Sequence, residues 1–190
     1  MKKKPINYVD NKKFYQEIVK YRAALKEARE QGKEDPRMPD YIGKCIWQIA
    51  ERLSTKPCFV NYSFRDEMVA DGIENCILYF KDYDPDYNAS GNPNYQPNPF
   101  AYFTQVIYYA FIRRISKEEK NRYTIYKNFQ ETITNLHGNE LLMDGDDNHL
   151  LPSTMYDNIN DFMSRFEAKE EAKKAKRKQS KEGLQKFIEE

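Results

Sequence analysis

The chain has 190 residues, enough for one domain with extensions. Its 31 basic and 30 acidic side chains leave a formal net charge of +1, which excludes a wholesale electrostatic pull toward nucleic acid and makes any such contact a matter of local patches. No apolar run approaches a membrane span, and MKKKPINY lacks the apolar segment of a signal peptide, so an intracellular protein with no membrane partner is expected.

From Lys12 to Gln31, Phe14, Ile18, Tyr21, Leu25 and Ala28 recur at helical spacing, and Gly32 with KEDPRMPD ends the run. A second helix is expected from Asp40 to Leu53, with Asp40 as its cap and Ile42, Cys45, Ile46, Ile49, Ala50 and Leu53 on one apolar face. TKPCFVNYS breaks that pattern. The third helix, SFRDEMVADGIENCILYFKDYD, is expected to begin near Ser63, with Asp66 three residues on in an approximate capping box. Phe64, Met68, Ile73, Ile77, Leu78 and Phe80 make its apolar side, and Asp66, Glu67, Asp71 and Glu74 its acidic side. Gly72 in mid-helix costs roughly 1 kcal/mol relative to alanine, a loss that a close helix crossing would offset.

DPDYNASGNPNYQPNP reads as a polar loop. The fourth helix follows in NPFAYFTQVIYYAFIRRISKEEKNRY. Phe103, Ile107, Phe111 and Ile115 form its core stripe, flanked by Tyr102, Val106 and Tyr109. After Arg122 the pattern weakens, and TIYKNFQETITNLHGNE reads as a short helix or an ordered extension. Residues 141–152 read as loop. YDNINDFMSRFEAKEEAKKAKRKQS is helical in pattern, with Ile159, Phe162, Met163 and Phe166 on one side. Beyond Phe166 the apolar face ends, leaving a charged tail or an exposed helix before EGLQKFIEE restores apolar residues.

Nothing in this pattern argues for catalysis or a cofactor. There is no P-loop, GxGxxG or GxSxG motif. Cys45, Cys58 and Cys76 are widely spaced and read as small buried hydrophobes. His137 and His149 lie far from any cysteine, and DGDDN lacks the rest of a calcium loop, so no metal is expected.

Four features rise above this background. In the fourth helix, Phe100, Tyr108 and Ile112 have no obvious core role, and Arg113, Arg114, Lys117, Lys120 and Arg122 follow directly. Rings offer unstacked bases a platform and cations meet phosphates, although surface tyrosines also occur without any such role. The acidic side of the third helix serves either solubility or docking to a basic partner. KKAKRK, at 173–178, suits either nucleic-acid contact or a solvated tail. Leu184, Phe187 and Ile188 form a small apolar knob at the end of a charged segment, as a short motif for a partner's pocket would.

The run FRDEMVADGIENCILYFKDYDP resembles the core-polymerase-binding helix of bacterial sigma factors, an acidic helix with a central glycine that ends in a Phe-Asp-Pro-like turn. Asp66, Glu67, Gly72, Ile73, Phe80, Tyr83, Asp84 and Pro85 match its character. NPFAYFTQVIYYAFIRRISKE resembles the family's next helix through Phe100, Tyr102, Thr104, Ile107, Ala110 and Ile112. With IGKCIWQIAERLS, NYVDNKKF and the hydrophobic-acidic end, the chain is similar to the late-transcription sigma factors of T-even-like tailed bacteriophages. It departs from the housekeeping sigma pattern where paired tryptophans would stand. Gln105 and Val106 occupy those places, and the aromatic pair comes later as Tyr108 and Tyr109. After Leu150 only one patterned helix and a polar tail stand, so no second DNA-reading module is expected there.

The resemblance implies an all-α, sigma region 2-like helical domain with an extended or helical charged C-terminal tail. It divides the chain into a leader and first helix at 1–36, the region 2-like domain at 37–130, an extension with a late helix at 131–166 and the tail at 167–190. Asp66, Glu67, Asp71 and Glu74 would bind the coiled coil of the largest subunit of bacterial RNA polymerase core. Phe100, Tyr102, Tyr108, Tyr109, Arg113, Arg114, Lys117 and Lys120 would contact and help open the minus-ten promoter DNA. Leu184, Phe187 and Ile188 would bind the phage sliding clamp, with a phage late coactivator in the same complex, in the cytoplasm of the infected bacterial host. The alternative is a DNA-binding transcriptional adaptor that does not join polymerase as a sigma subunit.

Overall fold

A computed structural model describes residues 8–84, 97–138 and 153–189, with the side chains of 81–82, 133–138, 153 and 180–189 outside that description. The described residues are all-α and contain no strand. The order is α1 (Asn11–Glu30), α2 (Asp40–Ser54), α3 (Arg65–Leu78), a 3-10 turn at Tyr79–Asp82, α4 (Pro99–Gly138) and α5 (Ser153–Glu189). The chain divides into two compact units, Met1–Ile115 and Ser116–Glu190.

In the first unit, α1 starts where the Asp10 carboxylate accepts hydrogen bonds from the Lys12 and Lys13 amides at 3.0 and 3.2 Å, satisfying two otherwise orphan donors. Phe14 and Ile18 are its buried residues, and Gly32 ends it in the left-handed region at φ +65°. All six apolar residues expected on α2 are buried. Asp40 does not cap that helix. Pro39 occupies the cap position, and Asp40 lies in the first turn, where its charge favours the positive end of the helix dipole.

The start and the buried face of α3 also differ from expectation. Phe64, not Ser63, holds the cap position, and no side chain caps the helix. The buried residues are Met68, Val69, Gly72 and Cys76. The i, i+4 row through 68, 72 and 76 points inward, and at 100° per residue this carries Ile77 and Leu78 out of the core. They are 53% and 63% exposed.

The glycine expectation holds in detail. A Cβ on Gly72 would stand 2.9 Å from Ile107 Cγ2 and 3.0 Å from Phe111 Cε1, so α3 and α4 cross where α3 has no side chain. Phe103, Ile107, Phe111 and Ile115 are all buried. Phe103 packs against Phe14 at 5.6 Å and Phe80 at 5.9 Å between ring centroids, and Phe111 meets Phe59 edge-on at 5.1 Å. Cys45 and Cys76 are buried as expected, but Cys58 is exposed. Its neighbour Phe59 takes the inward position instead.

The second unit pairs the later part of α4 with α5. The fourth helix does not end near Arg122 but continues to Gly138. Its apolar residues there are rings that find partners on α5. Tyr123 stacks on Phe166 at 4.7 Å, Tyr126 meets Phe162 edge-on at 5.5 Å and Phe129 lies against Tyr156 at 6.4 Å. Ascending numbers on one helix meet descending numbers on the other, so the pair is antiparallel. The Tyr123 hydroxyl donates to Glu167 at 2.7 Å, Gln130 donates to Asn160 at 2.6 Å, and Lys169 pairs with Glu119. Ile159 and Met163 are buried between these contacts.

Candidate functional site

The outward face of α3 follows from its buried one. With 68, 72 and 76 turned inward, helical geometry places Glu67, Asp71, Glu74, Ile77 and Leu78 together on the opposite side. Glu67 and Glu74 are exposed, as is Asp66 beside them at the start of the helix. Arg65 lies 3.7 Å from both Asp66 and Glu51. The face is therefore a row of carboxylates that runs into two exposed aliphatic side chains.

Asp71 belongs to a different set of contacts. Its carboxylate pairs with Arg114 Nη1 at 3.3 Å, and its carbonyl accepts a hydrogen bond from the Asn75 amide at 2.6 Å. Asn75 in turn accepts a hydrogen bond from Arg113. Both arginines expected to face phosphate thus also tie α4 to α3. Arg114 is half-buried, and its charge is balanced by Asp71 in place. Arg113 remains exposed with one hydrogen bond to a neutral partner.

The aromatic candidates separate in the same way. Phe100 is half-buried, lies edge-on to Tyr8 at 5.7 Å and donates its backbone N–H to Asn11 Oδ1 at 3.1 Å. Tyr102 is half-buried against Tyr83 at 4.8 Å. These two rings complete the packing around the core. Tyr108 and Tyr109 are 43% and 55% exposed, edge-on to each other at 5.8 Å. Tyr108 is braced from below by Phe59 at 5.8 Å. Exposed Ile112 and Arg113 follow one turn later, so rings and a cation share one side of α4.

Lys117 and Lys120 lie in the second unit and are exposed there. The backbone of α5 is helical to Glu189, so Leu184, Phe187 and Ile188 fall within a helix, while their side chains lie outside the described residues. The exposed Ile77 and Leu78 escaped the sequence reading, which placed them in the core. Trp47 escaped it as well. It is half-exposed on α2 beside Tyr8, Gln48, Glu51 and Arg52, and its position one residue past the buried Ile46 was the available signal.

Burial pushes the Cys76 thiol up to about 12. The Tyr41 phenol is also pushed up to about 12, by burial first and then by its hydrogen bond with Cys45. These groups stay neutral at ordinary pH and serve the core. Among the described residues no group of three or more His, Cys, Asp or Glu side chains is placed to hold a metal ion. No described helix is long and apolar enough to cross a membrane.

Together these contacts leave two presentable surfaces in the first unit: the acidic and aliphatic face of α3, and the tyrosine and arginine side of α4. Comparison with protein-family models and with curated proteins finds no match.

Proposed function

We propose that this chain is a reduced sigma factor of the phage late-transcription type, which docks on bacterial RNA polymerase core and helps open promoter DNA at the minus-ten element. The observation that carries the reading is the outward face of α3. Exposed Asp66, Glu67 and Glu74 lead into exposed Ile77 and Leu78 within the segment that resembles the sigma docking helix. Solubility alone accounts for the acids. It does not account for two aliphatic side chains beside them, which cost free energy in water unless a partner covers them. A basic and apolar surface, such as one side of the coiled coil of the largest polymerase subunit, complements that face.

On this reading Tyr108 and Tyr109 stack against unpaired bases, and Arg113, Lys117 and Lys120 meet phosphates. Arg114 and Asp71 hold the two helices in register, and Phe100 and Tyr102 support the site through packing. Leu184, Phe187 and Ile188 engage the phage sliding clamp, with the late coactivator in the same complex. Run-off transcription tests the proposal. Core polymerase supplied with this chain should initiate at a late promoter, whereas core polymerase alone should not. Binding to the promoter without any initiation would instead favour an adaptor that does not join polymerase.

A further inference from the structure

The basic run at 173–178 is not used by the docking or opening surfaces, and its setting on α5 gives it a shape. It lies beyond the Lys169–Glu119 pair that joins α5 to α4, and its side chains are exposed. Lys173 is engaged by Glu170 on the preceding turn. Lys174, Lys176, Arg177 and Lys178 are exposed and make no ion pair among the described residues. At 100° per residue these four cations spread over about 200° of the helix surface, within an axial rise of about 6 Å. Glu171, Ala172, Ala175 and Gln179 occupy the remaining side.

We propose that this stretch of α5 is a second, sequence-independent DNA contact that lies along the phosphate backbone of duplex DNA. The charge density fits that ligand, since duplex DNA carries one negative charge per about 1.7 Å of axis. Single-stranded DNA fits less well, because no ring stands in the exposed stretch to stack a base; the nearest, Phe166, is engaged with Tyr123. An anionic membrane also fits less well. A helix that lies on lipid needs an apolar face of Trp, Phe or Leu opposite its cations, and here that side is Glu, Ala, Ala and Gln. The choice of DNA over another polyanion rests on the promoter reading; the basic face itself does not.

The test needs only the full-length protein and a labelled duplex without promoter sequence, so it is independent of polymerase. Fluorescence anisotropy over 50–200 mM salt should give a log-log slope that is smaller in magnitude by about 3.6 in K174Q/K176Q/R177Q/K178Q, at 0.9 per phosphate contact. The wild-type chain then loses about 150-fold more affinity than the variant across that salt range. K174R/K176R/K178R, which keeps every charge, should retain the wild-type slope. An unchanged slope in the glutamine variant overturns the proposal. So does a reduced slope in the arginine variant, which would make the effect one of structure rather than charge. Binding to phosphatidylserine vesicles that exceeds binding to DNA and is lost in the glutamine variant also overturns it, because the face would then belong to a membrane. Failure to bind polymerase would sink the sigma reading and leave this measurement untouched.

Discussion

Two glycines in helices offer opposite outcomes for the same substitution. Gly72→Ala places a methyl group 2.9 Å from Ile107 Cγ2 and 3.0 Å from Phe111 Cε1. Ile107 and Phe111 are both fully buried, and Ile107 Cγ2 is attached directly to a branched Cβ, so it cannot swing away as the tip of a long side chain would. The substitution gains about 1 kcal/mol of helix propensity. It then costs roughly 1–3 kcal/mol of overpacking, which leaves the unit less stable by about 1 kcal/mol. Gly43→Ala on α2 meets nothing within 4 Å and should stabilise by up to about 1 kcal/mol. The single tryptophan, Trp47, lies on α2 in the first unit, so its fluorescence in a urea titration reports that unit directly. A Gly72→Ala protein as stable as Gly43→Ala would show that α3 and α4 do not cross as closely as described.

Tyr109→Ala should leave stability within about 0.5 kcal/mol, because the ring is 55% exposed, yet reduce promoter opening roughly tenfold in permanganate footprinting. Tyr108→Ala should impair opening too, and also lose about 0.5–1.5 kcal/mol of stability through its edge contact with Phe59. A thiol reagent at pH 8 should modify Cys58 quickly and reach Cys45 and Cys76 only on unfolding. Because burial raises the Cys76 thiol and the Tyr41 phenol, the stability they contribute is intact below the pKa of the unfolded groups. It falls as pH rises from about 9 toward 12, which alkaline urea titrations can follow. Deleting residues 184–190 should spare basal run-off transcription and abolish its activation by loaded sliding clamp, since the apolar side chains it removes are each worth about 1.5–3 kcal/mol when buried.

The buried face of α2 was legible because its apolar residues keep one helical stripe from Ile42 to Leu53, whereas its cap and the exposed Trp47 were not. The third helix has more apolar residues than its core face can take. Periodicity cannot tell a residue bound for the core from one bound for a partner, so by pattern alone Ile77 and Leu78 point inward. The length of α4 was hidden for a related reason. Tyr123, Tyr126 and Phe129 are spaced three apart and drift around the helix, and they make sense only against Phe166, Phe162 and Tyr156 of α5. In the candidate site, the exposure of Asp66, Glu67 and Glu74 could be read locally. The ties of Arg113 to Asn75 and of Arg114 to Asp71 span 38 and 43 residues, and no local pattern announces them.

A direct titration tests whether the outward face of α3 joins polymerase core. Fluorescently labelled protein is titrated with core enzyme, and wild type is compared with Glu67→Lys/Glu74→Lys. Both positions are exposed and lie off the Asp71–Arg114 pair, so the variant keeps its fold, as its circular dichroism should show. The account predicts saturable binding by the wild-type chain, weakened at least about tenfold in the variant and more steeply at low salt. Equal affinity of the folded variant and the wild type, or no binding by either, would contradict it.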